Sequence, residues 1–312
     1  MATLRFQPGY AEILRTIATP ILVTGAGGWL GRAALEMFDA ALGDALPARL
    51  TAFGASAREI RLRSGRMLRL HALGDLPNFA APVPLFFHFA YLTREHASTQ
   101  NLAAYVAANR DISLLVQRFL SRNGCAGLFV PSSGAVYAGG ELAHNPYGVL
   151  KREDEAGFVA LARRLDAPAV IARVFNLAGP FINKLESYAL ACILLDILGR
   201  RPVTLRAAHP VWRAYVDVGD VLNIALGCLL TGATPPIFDT TGEAIELSAL
   251  AQRAGHLLTG NAVELLRPDW EQGLENRYLG RGETYAALAK TLGMNLHDLD
   301  RQILDTAAFL RA

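Results

Sequence analysis

Lysine and cysteine are both scarce, with three of each in 312 residues. Cys125, Cys192 and Cys228 are scattered, and none stands near a His or another Cys at metal-ligand spacing. A disulfide framework and a structural zinc site are therefore both excluded, and the thiols are expected to be reduced and buried. Charge of one sign is also lacking. Thirty Lys+Arg against 28 Asp+Glu leave a formal +2, too balanced for nucleic acid or an anionic membrane as the main partner. Long hydrophobic runs are missing as well. Pro20 to Thr24 ends in a glycine loop, and Tyr188 to Leu195 is far too short to span a bilayer. No secretory signal pattern precedes Pro20, so a cytoplasmic protein is expected. What is abundant is apolar material: 52% hydrophobic against 19% charged residues, enough for a large core.

Up to about residue 175 short β-rich runs alternate with helical patterns, as a doubly wound parallel sheet requires. Strands are expected at Ile21–Thr24, Leu50–Phe53, Leu68–Leu70, Leu85–Phe89, Leu128–Pro131 and Val170–Val174. Amphipathic helices are expected at Trp29–Leu42, Leu102–Asn123 and Tyr147–Leu165, after a short helix at Gly9–Ile17. Beyond Gly179-Pro180 the rhythm changes. Helices are expected at Glu186–Leu198, Ser248–Leu258, Thr284–Leu292 and from Leu296, with a strand at Val203–Arg206. The fold class is thus α/β: a Rossmann-type sheet over residues 1–175, then a smaller, mainly substrate-binding lobe over 176–312, interleaved with the sheet.

Thr24-Gly25-Ala26-Gly27-Gly28-Trp29-Leu30-Gly31 lies directly between the first strand and the first long helix. Gly25 permits the tight turn, Gly28 lets backbone N–H groups approach a pyrophosphate, and Gly31 allows close helix–strand packing. The positive end of the helix then faces the phosphates. An NAD site usually carries an acid at the end of the second strand, to hold the ribose hydroxyls. Here Leu50 to Arg58 contains none, whereas Ser56 and Arg58, with Arg32 in the helix, suit a 2′-phosphate. The cofactor is NADP or NAD, leaning to NADP.

Tyr147 and Lys151 stand four residues apart, neighbours on one helix face. A phenol ionises near pH ~10, and an adjacent ammonium brings that value toward neutrality. Such a tyrosine exchanges a proton with a substrate oxygen while hydride moves to or from a nicotinamide. Val130-Pro131-Ser132-Ser133 places hydroxyls at the end of the fifth strand, where ligands bind in open α/β sheets.

Together these motifs resemble the extended branch of the short-chain dehydrogenase/reductase family, the NAD-dependent nucleotide-sugar epimerases, dehydratases and reductases. The resemblance makes Ser133, four residues before Tyr137, the partner of the reacting oxygen, with Ser132 as alternative and substrate contact. His88-Phe89-Ala90-Tyr91 is similar to the family's His-x-Ala-Ala signature, departing at Tyr91, while His88 equally suits a strand cap. Asn109 matches the asparagine that supports a proton relay. Arg173 to Pro180 resembles Arg-x-x-Asn-x-x-Gly-Pro, and Arg213 to Asp220 resembles Arg-x-Tyr-Val-x-Val-x-Asp, which makes Asn176 and Arg213 substrate residues. The same resemblance implies dinucleotide contacts at Trp29, Leu30, Asp75, Leu76, Phe89, Ala90, Tyr91, Lys151 and Val174. It also implies a homodimer formed through Leu102–Leu120 and Tyr147–Leu165.

Dehydratases of the family place Asp-Glu directly after the catalytic Thr; this chain has Gly134 and Ala135, which disfavours water elimination. What remains is epimerisation of a nucleotide sugar or reduction of a ketosugar. A small-carbonyl NADP reductase outside sugar metabolism and a non-catalytic NADP-binding protein are the alternatives. The bridge from Gly139 to Pro146 is short, so hexose identity is not inherited from relatives.

Overall fold

The computed structural model describes residues 4–93, 101–233, 237–269 and 273–312. Contacts divide the chain into two units. One holds Arg5–Arg173 and Leu222–Phe238; the other holds Met1–Leu4, Val174–Val221 and Asp239–Ala312.

The first unit is built on a large sheet whose strands in chain order are β1 (Ile21–Thr24), β2 (Leu50–Gly54), β3 (Arg58–Arg61), β4 (Met67–Ala72), β5 (Leu85–His88), β6 (Gly127–Ser133) and β7 (Ala169–Val174). Ile237–Asp239 joins as the eighth strand, giving the order Ile237–Asp239, β7, β6, β5, β1, β2, β4, β3. β1 pairs in parallel with β2 on one side and with β5 on the other, and β2–β4 and β5–β6 are parallel too. The chain therefore reverses its winding direction at β1 and β5, the switch point at which open α/β sheets bind ligands. β1 and β5 are buried along their whole length, which is why each is an apolar run up to its last residue, Thr24 or His88.

Leu22, Phe53, Phe86, Leu128 and Ile171 from the strands meet Val116, Phe119 and Leu120 from helix Leu102–Asn123, and Phe158 and Leu161 from helix Pro146–Arg164. Each fully buried side chain of this kind contributes about 1.5–3 kcal/mol relative to an exposed one. That packing seats the C-terminal half of helix Pro146–Arg164 on the sheet.

The structure adds an element the sequence did not disclose. β3 runs antiparallel to β4, with Arg58 opposite Leu70 and Ile60 opposite Leu68, forming a hairpin at the sheet edge. The expected strand Leu68–Leu70 is the middle of β4, and Arg58 opens β3.

In the second unit, helices Ala189–Leu198, Leu247–Thr259 and Leu299–Leu310 share one core, with Leu194, Leu250 and Ile303 fully buried. The expected helix at Glu186 begins only at Ala189, after a tight turn Leu185–Ser187, and the strand at Val203 is two residues long. The C-terminal helix starts at Leu299, where the Asp298 side chain accepts the Arg301 N–H at 2.8 Å, a better N-terminal cap than anything at Leu296. Helix Val218–Thr231, which from Leu222 belongs to the first unit, was not anticipated; Val218–Leu229 is buried throughout and so shows no amphipathic stripe. No helix among the described residues is long and apolar enough to cross a membrane.

Candidate active site

The glycine loop has the geometry its composition suggests. Gly25 takes a φ of +67°, and a Cβ there would lie 2.3 Å from the Phe89 carbonyl carbon and 2.4 Å from the Ala90 nitrogen. The turn after β1 is thus pressed onto the backbone leaving β5. A Cβ on Gly31 would lie 2.3 Å from the Gly25 oxygen, so the helix seats directly on the turn. Gly28 differs, since its Cβ would meet nothing closer than the Gly25 oxygen at 3.4 Å. Gly28 caps helix Trp29–Leu42 without any side-chain hydrogen bond, which leaves the first-turn amides to a ligand. Tight packing at Gly25 and Gly31, beside a Gly28 where a Cβ would make only ordinary contact, fits a dinucleotide pyrophosphate.

The flanking residues separate into two groups. The Arg58 guanidinium lies over the loop, its Nη2 2.4 Å from the position of a Gly27 Cβ, and it has no ion-pair partner among the described residues. Ser56 and Asp75 are exposed. Arg32 is committed elsewhere: it pairs with Glu36 at 2.9 Å and donates to the Arg61 carbonyl of β3. Leu76 is fully buried in the sheet core, so its side chain cannot meet a cofactor. Trp29 and Ala90 are buried, while Leu30, Phe89 and Val174 are half-buried.

Ser133 ends β6 and its Oγ accepts the Ala135 N–H at 3.2 Å, starting the helical turn Gly134–Ala138. The start of helix Pro146–Arg164 is tied to that turn by Asn145. Its Oδ1 accepts the Gly148 N–H at 3.0 Å, while its Nδ2 donates to the Ala135 and Gly139 carbonyls, each at 3.1 Å. Gly148 is required at this contact, because a Cβ would sit 2.3 Å from the Ala135 oxygen. Asn145 escaped the sequence reading, although Asn followed by Pro at the first helical position is a helix-start signal.

Lys151, on the same helix face as Tyr147, is buried and donates to the Pro131 carbonyl at 3.1 Å. Its ammonium also stands over the Tyr91 ring, and that ring meets Tyr147 edge to face. Burial pulls the Lys151 pKa down to about 8, with Asp154 and Glu155 opposing the shift. Lysine therefore remains mostly an ammonium at neutral pH.

Ser132 and Asn109 both make hydrogen bonds that hold neighbouring segments. Strand alternation points adjacent serines to opposite faces, and Ser132 gives its hydroxyl to Glu155 at 2.6 Å. Glu155 also accepts two bonds from Arg173, at 2.8 and 2.7 Å, and Arg173 donates to the Tyr137 hydroxyl at 2.7 Å. One buried carboxylate thus holds the residue before Ser133 directly, and the turn after it through Arg173. Asn109 accepts the Leu92 N–H and donates to the carbonyls of Leu92 and Tyr105, so its amide braces the chain leaving β5. His88 is the strand cap. Its Nδ1 pairs with Thr24 Oγ1 at 2.7 Å, and burial with nearby Lys151 pushes its pKa down to about 3.

The remaining candidates lie in the second unit. Asn176 donates through Nδ2 to the Ala214 carbonyl at 3.1 Å and its backbone carbonyl accepts the Val216 N–H. Arg213 donates to the Trp212 carbonyl and to Asn276 Oδ1, both at 2.8 Å, beside the Tyr278 ring.

Residues 21–239 match the NAD dependent epimerase/dehydratase family, and the chain belongs to that family. By sequence, no curated protein matches it. Among solved structures it is similar to a UDP-glucose 4-epimerase from Thermotoga maritima, at 18% identity and TM-score 0.70, over 94% of this chain and 99% of that one. It is also similar to a UDP-N-acetylglucosamine 4-epimerase from Methanobrevibacter ruminantium, at 16% identity and TM-score 0.71, over 94% and 98%. A UDP-glucuronic acid 4-epimerase variant from Bacillus cereus, solved with a fluorinated UDP-glucuronic acid and NAD, matches at 14% identity and TM-score 0.67, over 94% and 99%. At these identities the likeness shows a shared fold.

Proposed function

We propose that the protein is an NAD(P)-dependent enzyme acting on a nucleotide sugar, either an epimerase or a ketosugar reductase, with Tyr147 as the acid/base. The observation that carries this reading is the buried Lys151 ammonium, anchored on Pro131 and set on the helix face of Tyr147. A bound nicotinamide supplies or accepts the hydride. In the reducing direction the Tyr147 hydroxyl gives its proton to the carbonyl oxygen as carbon receives hydride, and Lys151 stabilises the phenolate left behind. Oxidation runs the same transfers backwards, with the phenolate taking the alcohol proton. Ser133 donates its hydroxyl to the reacting oxygen. Asn109 contributes by holding the segment that carries Tyr91. Gly134 and Ala135 offer no acid or base for dehydration.

The family is NAD-dependent, and a finer preference for NADP rests on the unpaired Arg58 guanidinium beside Gly27. The Gly25–Gly31 loop holds the pyrophosphate, and Arg213 meets a phosphate of the nucleotide. Two copies associate through helices Leu102–Asn123 and Pro146–Arg164, the first of which exposes Leu114. Incubation with UDP-, GDP-, CDP- and dTDP-hexoses, with NAD or NADPH and product detection by mass spectrometry and NMR, tests the reading. An epimerised or reduced nucleotide sugar is expected. Reduction of simple ketones with every nucleotide sugar ignored would instead mark a small-carbonyl reductase.

A further inference from the structure

Tyr91 is the residue at which the chain departs from the His-x-Ala-Ala signature, and it lies against both groups assigned to proton transfer. Lys151 Nζ stands 3.6 Å from the centroid of its ring, inside the range of a cation–π contact. The Tyr147 ring meets it with centroids 5.7 Å apart and planes at 79°. Its placement is enforced from outside the pair. Asn109 holds both backbone groups of the next residue, Leu92, and Tyr91 packs against the cluster of Tyr105, Val106 and Leu150.

A buried ammonium needs replacements for its lost water. Among the described residues Lys151 finds two, the Pro131 carbonyl and the Tyr91 ring. The charged and titratable groups around it do not substitute for that ring. Asp154 and Glu155, on its own helix, favour its charge, but Asp154 is taken by Ser113 at 2.5 Å and Glu155 by Ser132 and Arg173. His88, from β5, is held neutral by burial and by the Lys151 charge, so it brings the ammonium no counter-charge. Burial pushes the Tyr91 phenol far above its ordinary range, so it presents a neutral ring at every physiological pH.

We propose that Tyr91 is a positioning residue whose ring face keeps the Lys151 ammonium charged and fixed beside Tyr147, a task that the small residue of the family signature cannot perform. The proposal uses the assignment of Lys151 to proton transfer only for its functional consequence; the contact and its electrostatic effect stand apart from any substrate.

The scarcity of lysine makes this measurable. Full-length protein labelled with 13C,15N-lysine has three side-chain signals, from Lys151, Lys184 and Lys290, and Lys184→Arg and Lys290→Arg identify the first by elimination. Titrated by NMR, Lys151 should ionise at the same pH in wild type and Tyr91→Phe. In Tyr91→Leu, which keeps bulk but has no ring face, it should ionise about one pH unit lower. Phenylalanines of increasing fluorination installed at position 91 hold the shape constant while draining the ring face, and the Lys151 midpoint should step down along that series. This series serves where Tyr91→Leu does not fold. An unchanged midpoint in Tyr91→Leu, a flat fluorine series, or a Tyr91→Phe shift as large as that of Tyr91→Leu overturns the proposal. Failure of the nucleotide-sugar panel leaves this titration unaffected, so the two readings fail separately.

Discussion

Replacing Glu155 by alanine tests the anchoring of Ser133. The substitution removes the acceptor of the Ser132 hydroxyl and of two Arg173 N–H groups at once. The Glu155 side chain is 6% exposed and that of Arg173 is 21% exposed. Deleting one partner of a buried ion pair typically costs about 3–5 kcal/mol, because the other charge is left stranded. Arg173 keeps its bond to Tyr137 and some access to water, which brings the expected loss to about 2–4 kcal/mol. Glu155→Gln preserves shape and the Ser132 bond but not the charge, and should lose roughly half as much. The double variant Glu155→Leu/Arg173→Leu should recover most of the loss, since no charge remains stranded. Urea unfolding followed by circular dichroism measures all three. A Glu155→Ala loss below about 0.5 kcal/mol, typical of a surface site, would refute the anchoring argument.

The glycine loop predicts a contrast: Gly25→Ala and Gly31→Ala, whose Cβ atoms would each lie 2.3 Å from backbone, should lower both thermal stability and dinucleotide affinity. Gly28→Ala should keep the melting temperature and weaken only binding, as read by NAD titration in a calorimeter; equal melting losses at all three positions would contradict the geometry. Arg58→Ala should weaken NADP binding about 10- to 100-fold and leave NAD binding unchanged, the loss expected for a charge-assisted phosphate contact. Unchanged NADP affinity would remove the case for a 2′-phosphate. In the second unit, Asp220 accepts both the Nδ1 and backbone N–H of His297, and raises the imidazole pKa from 6.5 to about 9. That contribution is full below pH 6.5 and is lost as pH rises through 9. Asp217, buried and beside Asp220, is raised from 3.8 to about 6, so its ionisation disfavours the fold as pH rises from 3.8 through 6, below the window in which His297 acts. Thermal melts should therefore fall between pH 6.5 and 9.5, and His297→Asn should flatten that fall; a parallel curve for the variant would contradict the pairing.

Local patterns were legible because covalent spacing carries them. Gly25 and Gly31 stand where a side chain would strike backbone, and the four-residue step from Tyr147 to Lys151 puts both on one helix face. The parallel strands were legible because burial on both faces leaves only apolar residues. Other features depend on partners far along the chain. Ser132 and Ser133 are chemically identical in sequence, and only Glu155, 23 residues away, separates anchor from site. Arg32 was equally plausible as a phosphate ligand until the hairpin brought the Arg61 carbonyl to it. That hairpin was hidden because Arg58 to Arg61 offers one apolar residue, Ile60, too weak an alternation to mark a strand. The loss of amphipathicity in Val218–Thr231 has the opposite cause, burial on all sides.

The central claim is that Tyr147 moves the proton while hydride passes at a sugar carbon. It is tested most directly by comparing wild type and Tyr147→Phe at matched dinucleotide occupancy on the nucleotide-sugar panel. The expected result is product from the wild type and at least a thousandfold slower turnover from the variant, with dinucleotide still bound, roughly the upper part of the range for a lost general acid/base. Turnover by Tyr147→Phe within a few-fold of wild type would contradict the account.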